Sequence, residues 1–178
     1  MIPPLFRRSP RRTIAALYGA IVAQARDERF YRDYAVPDTV LGRFDMVLLH
    51  LVLVLRRLHE GNADQRALAQ NLFDAFCRDI DHNLREMGIS DQGLPKHMQR
   101  VGEAFYGRAQ AYEAALADSH DGALGEVLAR NVYAAMAERE VEAAALAAYV
   151  RRAAELLSTQ HSIDADVRFP EPAPLVVL

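Results

Sequence analysis

The most apolar stretch of the chain runs from Gly42 to Leu58, and the single polar side chain in its middle is that of His50. A helix that is apolar on nearly every side must be buried in the protein. The stretch is too short for a membrane span, which needs about 20 apolar residues, and charged side chains close both of its ends. A buried strand is the alternative, but the length of the run and its lack of alternation favour a helix. We therefore predict a buried central helix over residues 40–59 of a soluble bundle.

Apolar residues recur at helical spacing on both sides of this stretch. They predict five further helices, over residues 13–26, 63–87, 95–116, 122–133 and 141–156. The sequence contains neither a hairpin signal nor an internal repeat. We therefore predict an all-α fold, a single-domain bundle of five to seven helices around the central one.

Local motifs predict where several of these helices begin and end. Asp38 or Thr39 is suited to cap the start of the central helix. Asn62 and Gln65 have the spacing of a capping box, which predicts the start of the next helix. Gly88 follows that helix, where a left-handed residue commonly ends one.

Two glycines, Gly102 and Gly107, lie inside the helix predicted after Pro95. Each glycine costs a helix about 1 kcal/mol relative to alanine. We therefore expect a neighbouring backbone to approach closely at these two positions.

The two ends of the chain differ in composition from the helical region. Residues 1–12 contain three prolines and four arginines, which predicts a basic irregular arm. Residues 13–158 form the predicted helical domain. Residues 159–178 contain three further prolines, which predicts an extended tail.

The start of the chain also imitates a secretory signal, because basic residues precede an apolar run and the small-residue sequence 23–25. Against that alternative, the apolar residues between Ile14 and Ala25 repeat as one helical stripe. A signal core does not need a stripe, so a packed first helix is the better interpretation.

Composition limits the classes of function. The 178 residues carry a net charge of −3; residues 1–12 contribute +4, and residues 118–178 hold five basic and ten acidic groups. This balance argues against specific nucleic-acid binding, which needs an extended basic face. Cys77 is the single cysteine, so no internal disulfide and no zinc cluster is expected. We therefore expect a reducing compartment, and we predict a cytoplasmic location.

Motifs for catalysis are weak. The sequence has neither a G-x-S-x-G turn nor a glycine-rich phosphate loop. The pair Asp79 and His82 occurs once, whereas a two-metal bundle site needs a Glu-x-x-His motif twice and two further carboxylates. His50 could ligate haem or a metal, but a buried histidine is more often hydrogen-bonded within the core. We predict no catalytic residue, metal, cofactor or small-molecule substrate, and keep a haem- or metal-binding bundle enzyme as the alternative.

Charged and aromatic residues gather near predicted helix ends, as they do on contact surfaces. An equally good explanation is that the charges serve helix caps and dipoles. The predicted partner contacts are Arg43, Asp45, Arg85, Glu86, Asp91, Lys96, Tyr106 and Arg108. The predicted membrane contacts are Arg7, Arg8, Arg11 and Arg12, which flank an apolar Leu-Phe pair.

Several ordered motifs between residues 13 and 133 carry a resemblance to a known family. The motifs are Phe30-Tyr31, Val36-Pro37-Asp38-Thr39, Gly42-Arg43-Phe44-Asp45 with Leu49-His50, Leu72-Phe73-Asp74-Ala75-Phe76, Asp81 with Leu84-Arg85-Glu86-Met87-Gly88, Asp91, Phe105-Tyr106-Gly107-Arg108 with Tyr112, and Arg130-Asn131 with Tyr133. With these motifs the chain resembles the ubiquinol-cytochrome c chaperone family, the bacterial relatives of a mitochondrial factor for cytochrome bc1 assembly.

The resemblance implies a helical, non-enzymatic chaperone whose partner is immature cytochrome b or another bc1 subunit. It also implies peripheral contact with the ribosome or with the inner face of the plasma membrane. Family members look richer in lysine after the loop that contains Asp91, whereas this chain has Lys96 and Arg100 there. That departure weakens the expectation of a basic patch on this part of the surface.

Overall fold

The computed structural model describes residues 10–120, 122–134, 136, 138–163 and 166–174. These residues form seven helices and no strand, which confirms the predicted all-α fold. The helices are α1 (Pro10–Ala25), α2 (Glu28–Arg32), α3 (Val40–His59), α4 (Ala63–Glu86), α5 (Leu94–Ala117), α6 (Ala123–Asn131) and α7 (Glu140–Thr159).

The central helix is α3, as the hydrophobic pattern predicts. Its residues from Leu48 to Leu55 are all buried, and the helix packs against α1, α4, α5 and α7. Each large apolar side chain removed from water in this way contributes about 1.5–3 kcal/mol. No helix in the described part of the chain is long and apolar enough to cross a membrane.

The predicted helix caps are confirmed for α3 and α4. The hydroxyl of Thr39 accepts a hydrogen bond from the amide of Gly42 at 3.1 Å. Asn62 and Gln65 form a complete capping box, with bonds of 3.0 and 3.2 Å. Gly88 follows α4 with a φ of +86°, the left-handed conformation expected of it.

The first helix begins earlier than predicted, because Pro10 starts α1. Proline is tolerated in the first turn of a helix, where its missing N–H has no intrahelical acceptor to lose. The basic residues Arg11 and Arg12 therefore belong to α1 rather than to an irregular arm.

The glycines of α5 do not serve the purpose that the sequence suggested. A methyl group added at Gly102 or Gly107 would meet no described atom within 4 Å, so the expected close approach is wrong at both positions. The close approach occurs instead at Gly42 in the first turn of α3. A methyl group there would lie 2.0 Å from the carbonyl oxygen of Pro37, so α3 and the preceding turn fit together only with glycine.

The tail is extended and lies against the bundle. The hydroxyl of Tyr34 donates to the carbonyl of Ala173 at 2.8 Å, and the amide of Gln24 donates to the carbonyl of Pro170 at 3.3 Å. The ring of Phe169 lies 5.3 Å from the imidazole of His50, measured between centroids. The described part of the tail therefore covers the polar centre of the core.

Candidate functional site

An aromatic cluster links the core to the surface where α3, α4 and α5 meet. The rings of Phe44 and Phe76 lie 6.2 Å apart, and those of Phe73 and Phe105 lie 4.7 Å apart, between centroids. Tyr106 ends the cluster at 5.3 Å from Phe105, and 65% of this tyrosine is exposed. The cluster fixes an exposed aromatic side chain on a rigid helix, which is a typical arrangement at protein interfaces.

A groove of about 390 Å³ opens beside Tyr106 between α4 and α5. Its floor is formed by Val52 and Leu55 of the central helix. Its apolar walls include Phe73 of α4 and Ala109 of α5. This volume lies in the range of about 300–1,000 Å³ that is usual for binding sites.

Two of the predicted contact residues, Asp45 and Arg108, lie inside the protein. Arg108 Nη2 lies 2.8 Å from Asp45 Oδ1, and 18% and 3% of the two side chains are exposed, respectively. The contact is an ion pair without the alignment of a hydrogen bond, because Asp45 Oδ1 has no hydrogen-bond donor. Arg108 also lies in the middle of α5, so the expectation that it sits near a helix end is wrong. The pair holds α5 against α3.

The surroundings of this pair shift its acid-base behaviour. Burial raises the pKa of Asp45 to about 6, and the nearby guanidinium of Arg108 offsets only part of that rise. The hydroxyl of Tyr112 is buried beside the pair without a hydrogen-bond partner, and burial raises its pKa. The carboxyl of Asp45 is therefore much less acidic than an exposed aspartate.

Three of the predicted contacts lie together at the tip of the α4–α5 hairpin. Arg85 forms an ion pair with Asp91 in the loop and another with Asp81 at 2.8 Å. Glu86 lies 3.1 Å from the imidazole of His82. Exposed ion pairs of this kind contribute little to stability, so this cluster of charges is not needed to hold the hairpin together.

The other predicted contacts are spread over the surface. Arg43 is exposed, pairs with Asp38 at 2.7 Å and lies over the ring of Tyr31 at 5.8 Å. Lys96 is exposed in the first turn of α5. Tyr106 lies ten residues further along α5, about 15 Å at the helical rise. The eight predicted contacts therefore do not all lie together on one patch of the surface.

The predicted membrane contacts fall in two places. Arg11 and Arg12 are exposed in the first turn of α1. Arg7 and Arg8 lie outside the described residues. Neither Arg11 nor Arg12 forms an ion pair with another described residue.

His50 occupies the polar centre of the core. Its Nδ1 lies 2.8 Å from the carbonyl oxygen of Met46, which only accepts, so Nδ1 carries the proton. Its Nε2 lies 2.8 Å from the hydroxyl of Tyr149, which therefore donates, and Gln24 donates to the same hydroxyl at 3.1 Å. Burial lowers the pKa of His50 to about 4. Both ring nitrogens thus have protein partners, as expected of a hydrogen-bonded core histidine.

The second pair considered for a metal site is divided between two separate contacts. Asp79 accepts a hydrogen bond from the hydroxyl of Tyr18 at 2.9 Å and so joins α4 to α1. His82 pairs instead with Glu86 on the surface of α4. In the described parts of the chain no three His, Cys, Asp or Glu residues are grouped as metal ligands would be.

Sequence reasoning did not find the groove or the contacts of the tail. The signal that could have indicated the groove is Phe73, which widens the apolar stripe of α4 beyond the face that α3 covers. The position of α5 decides whether Phe73 is covered. The apolar pattern of α4 alone does not show where α5 lies.

The sequence and the fold of this chain match those of known proteins. The model of a family described as ubiquinol-cytochrome C chaperone matches residues 32–165. The crystal structure of the Cbp3 homolog from Brucella abortus has a TM-score of 0.83 and 39% sequence identity to this chain, and the match covers 91% of each chain. The fold of α1 to α7 is therefore shared with that protein.

Curated relatives carry the name ubiquinol-cytochrome c reductase complex assembly factor 1. The protein from Mus musculus is 27% identical over 154 residues, which are 85% of this chain and 52% of the relative. The protein from Xenopus laevis is 25% identical over 148 residues, 82% of this chain and 74% of the relative. The chain spans about half the length of the mouse and human relatives. Since the family model matches most of the chain, the resemblance drawn from its motifs is confirmed, and the chain belongs to the ubiquinol-cytochrome c chaperone family.

Proposed function

We propose that this protein is a non-enzymatic assembly chaperone for the cytochrome bc1 complex and that it binds immature cytochrome b. The observation that carries the proposal is the match of the family model over residues 32–165. The names of the curated relatives, which are assembly factors of ubiquinol-cytochrome c reductase, agree with it.

The chemistry of the surface supports binding rather than catalysis. The two residues considered as metal ligands, the buried His50 and the half-buried Asp79, are engaged in contacts that join helices. The exposed features are instead an aromatic side chain, an apolar groove and a charged hairpin tip. Such features suit the recognition of another protein chain.

The predicted contact residues divide into two roles in this proposal. Arg43, Arg85, Glu86, Asp91, Lys96 and Tyr106 are exposed and would touch the client directly. Asp45 and Arg108 would act as positioning residues, because their ion pair holds the helix that carries Tyr106.

Photo-crosslinking in the producing cell tests the identity of the client. A photoreactive phenylalanine would replace Tyr106 in one variant and Val141 in a matched control, since these side chains are 65% and 70% exposed on different helices. We expect the variant with the photoreactive residue in place of Tyr106 to capture newly made cytochrome b, and the Val141 control to capture much less. Equal capture at both positions, or none at Tyr106, would contradict a client surface around Tyr106.

We also propose a peripheral location at the inner face of the plasma membrane, with the start of the chain as the contact. Each basic residue near an anionic surface contributes about 1 kcal/mol, and salt screens that attraction. Replacement of Arg7, Arg8, Arg11 and Arg12 by serine should therefore reduce flotation with anionic liposomes at low salt. Equal flotation of the variant and the unaltered protein would contradict a membrane contact through the start of the chain.

A further inference from the structure

The groove between α4 and α5 reaches down to the buried central helix. Val52 and Leu55 of α3 form its floor, and Phe73 and Phe105 stand on its two walls. All four side chains are apolar, and the volume of about 390 Å³ accommodates a few large side chains rather than a whole helix. The groove is therefore shaped to receive the apolar face of a partner segment.

The rim of the groove is polar and carries negative charge. Glu113 lines it, is exposed, and has no ion pair within the described residues. Gln70, also on the rim, donates to the carboxylate of Asp74 at 2.9 Å, which places a second acid beside the opening. Among the residues that line the groove, His59 is the one with a basic side chain. A partner with positive charge next to its apolar face is the electrostatic complement of this rim.

Tyr106 stands at the same opening, with its ring 6.1 Å from that of Phe73. A tyrosine held on a rigid helix beside an apolar groove is a common anchor in protein interfaces. A helix presents large side chains to a groove at positions i, i+3, i+4 and i+7. Membrane helices carry lysine and arginine next to their apolar span on the cytoplasmic side. Such a segment combines the apolar face and the positive end that the groove complements.

We propose that the groove between α4 and α5 binds the positively flanked end of an apolar membrane helix in the client. Large apolar side chains of that helix fill the space over Val52 and Leu55, and its flanking cations face Glu113 and Asp74. Tyr106 closes over the bound segment from the side of α5. This inference rests on the proposed chaperone function and names the part of the client that the protein recognises.

A binding assay with a synthetic peptide tests the shape of the site. The probe is a fluorescent, soluble 18-residue helical peptide with leucines along one face and two lysines at one end, and anisotropy reports its binding to the full chain. Ala109→Trp fills the groove and should weaken binding by about tenfold or more. Ala114→Trp is the matched control, because Ala114 is exposed on the same helix and does not line the groove. Equal affinity of these two variants would overturn the proposal.

A second pair of variants tests the charge of the site without a change in the core. Glu113→Lys should weaken binding of the lysine-ended peptide and strengthen binding of an otherwise identical glutamate-ended peptide. Glu155→Lys is the control, since Glu155 is exposed on α7, which contributes no residue to the lining of this groove. Identical binding of the two peptides by the unaltered protein would overturn the electrostatic part. A concentration-dependent dimer that Ala109→Trp abolishes would assign the groove to a second copy of the chain and overturn the proposal.

Complementation separates this inference from the proposed function. In a strain that lacks the protein, the unaltered gene should restore assembled bc1 complex, whereas Ala109→Trp and Glu113→Lys should restore much less. Full restoration by both variants would overturn the groove as the client site and leave the chaperone function standing. A strain that assembles the complex normally without any copy of the gene would overturn the proposed function itself.

Discussion

Two buried titratable residues on α3, Asp45 and His50, have pKa values shifted in opposite directions. Burial raises the pKa of Asp45 to about 6 and lowers the pKa of His50 to about 4. Both shifts have one cause, because removal from water disfavours the charged form of either group. The two residues change the stability of the folded state in opposite directions as the pH rises. Each effect is therefore tested with a variant in which that residue is replaced.

We expect the wild type to lose stability as the pH rises because of Asp45, and we expect Asp45→Asn not to show this loss. The folded pKa is about 6 in place of the usual 3.8, so the unfolded chain releases the proton first and the folded state loses stability between these values. The free energy of unfolding of the wild type, minus that of Asp45→Asn, should fall by up to about 3 kcal/mol across this window. Urea unfolding at pH 4, 5, 6 and 7 measures it. A difference that is independent of pH would show that Asp45 titrates like an exposed aspartate.

The prediction for His50→Leu has the opposite sign. The usual pKa is 6.5 and the folded pKa is about 4, so the unfolded chain gains the proton first as the pH falls. The wild type should lose stability on acidification through this window, and His50→Leu should lose less. At pH 7 the variant should be about 1–3 kcal/mol less stable, because Tyr149 and Met46 lose a partner. Tyr149→Phe completes a double-mutant cycle, and a zero interaction energy would contradict the hydrogen bond.

The start of α3 depends on one close contact between elements. Gly42 meets Pro37 so closely that any side chain there would collide with its carbonyl oxygen, at 2.0 Å for the first carbon. We expect Gly42→Ala to destabilise the protein by more than about 2 kcal/mol, because backbone must shift to make room. Thermal melts report the change.

The matched control for that substitution is Gly107→Ala in α5, where an added methyl group meets no described atom within 4 Å. Alanine is the better helix former, so this variant should gain about 0.5–1 kcal/mol. Similar melting midpoints for Gly42→Ala and Gly107→Ala would contradict the packing described for the start of α3.

The attachment of α5 to α3 depends on the ion pair between Arg108 and Asp45. Arg108→Ala leaves the carboxyl of Asp45 without its partner in the interior and should cost about 2–3 kcal/mol, less than a fully buried pair because 18% of the arginine side chain is exposed. Arg85→Ala is the control, since its ion pairs lie on the surface and should change stability by less than about 0.5 kcal/mol. Chemical denaturation of both variants decides, and equal losses would show that the buried pair has no special role.

At the scale of elements, much of the fold could be predicted because local signals agree with the tertiary structure. The apolar run of α3 and the capping box at Asn62 depend on neighbours in sequence, and both predictions are confirmed. The predicted start of α1 is three residues late, because Pro10 indicates irregular structure in the sequence, whereas in the structure it occupies the first turn of the helix.

The candidate site was less predictable because its contacts join residues that are distant in sequence. Asp45 and Arg108 are 63 residues apart, and their charges alone indicate a surface as readily as a buried pair. The sequence predicts a partner contact at Tyr106, but the groove beside it depends on how far α4 and α5 diverge over α3. Such spacing is a property of the packed bundle, which periodicity along one helix does not encode.

In the whole molecule, the buried polar centre of the core and the exposed candidate site lie in different places. The polar centre around His50 is covered by the described tail and by Tyr149. The groove, Tyr106 and the hairpin tip with Arg85 and Asp91 lie on the α4–α5 side. The proposed binding of a client would benefit from such a preformed surface on a stable core, because a preformed site loses less conformational entropy on binding.

The amount of assembled cytochrome bc1 complex in a strain that lacks this protein tests the proposed chaperone function most directly. Native gels and the reduced-minus-oxidised spectrum of haem b in membranes measure it, with another respiratory complex as the control for general damage. We expect the amount of bc1 complex to be strongly reduced, the control complex to be unchanged, and the unaltered gene to restore the bc1 complex. Wild-type levels of assembled bc1 complex in the strain without the gene would contradict the chaperone function.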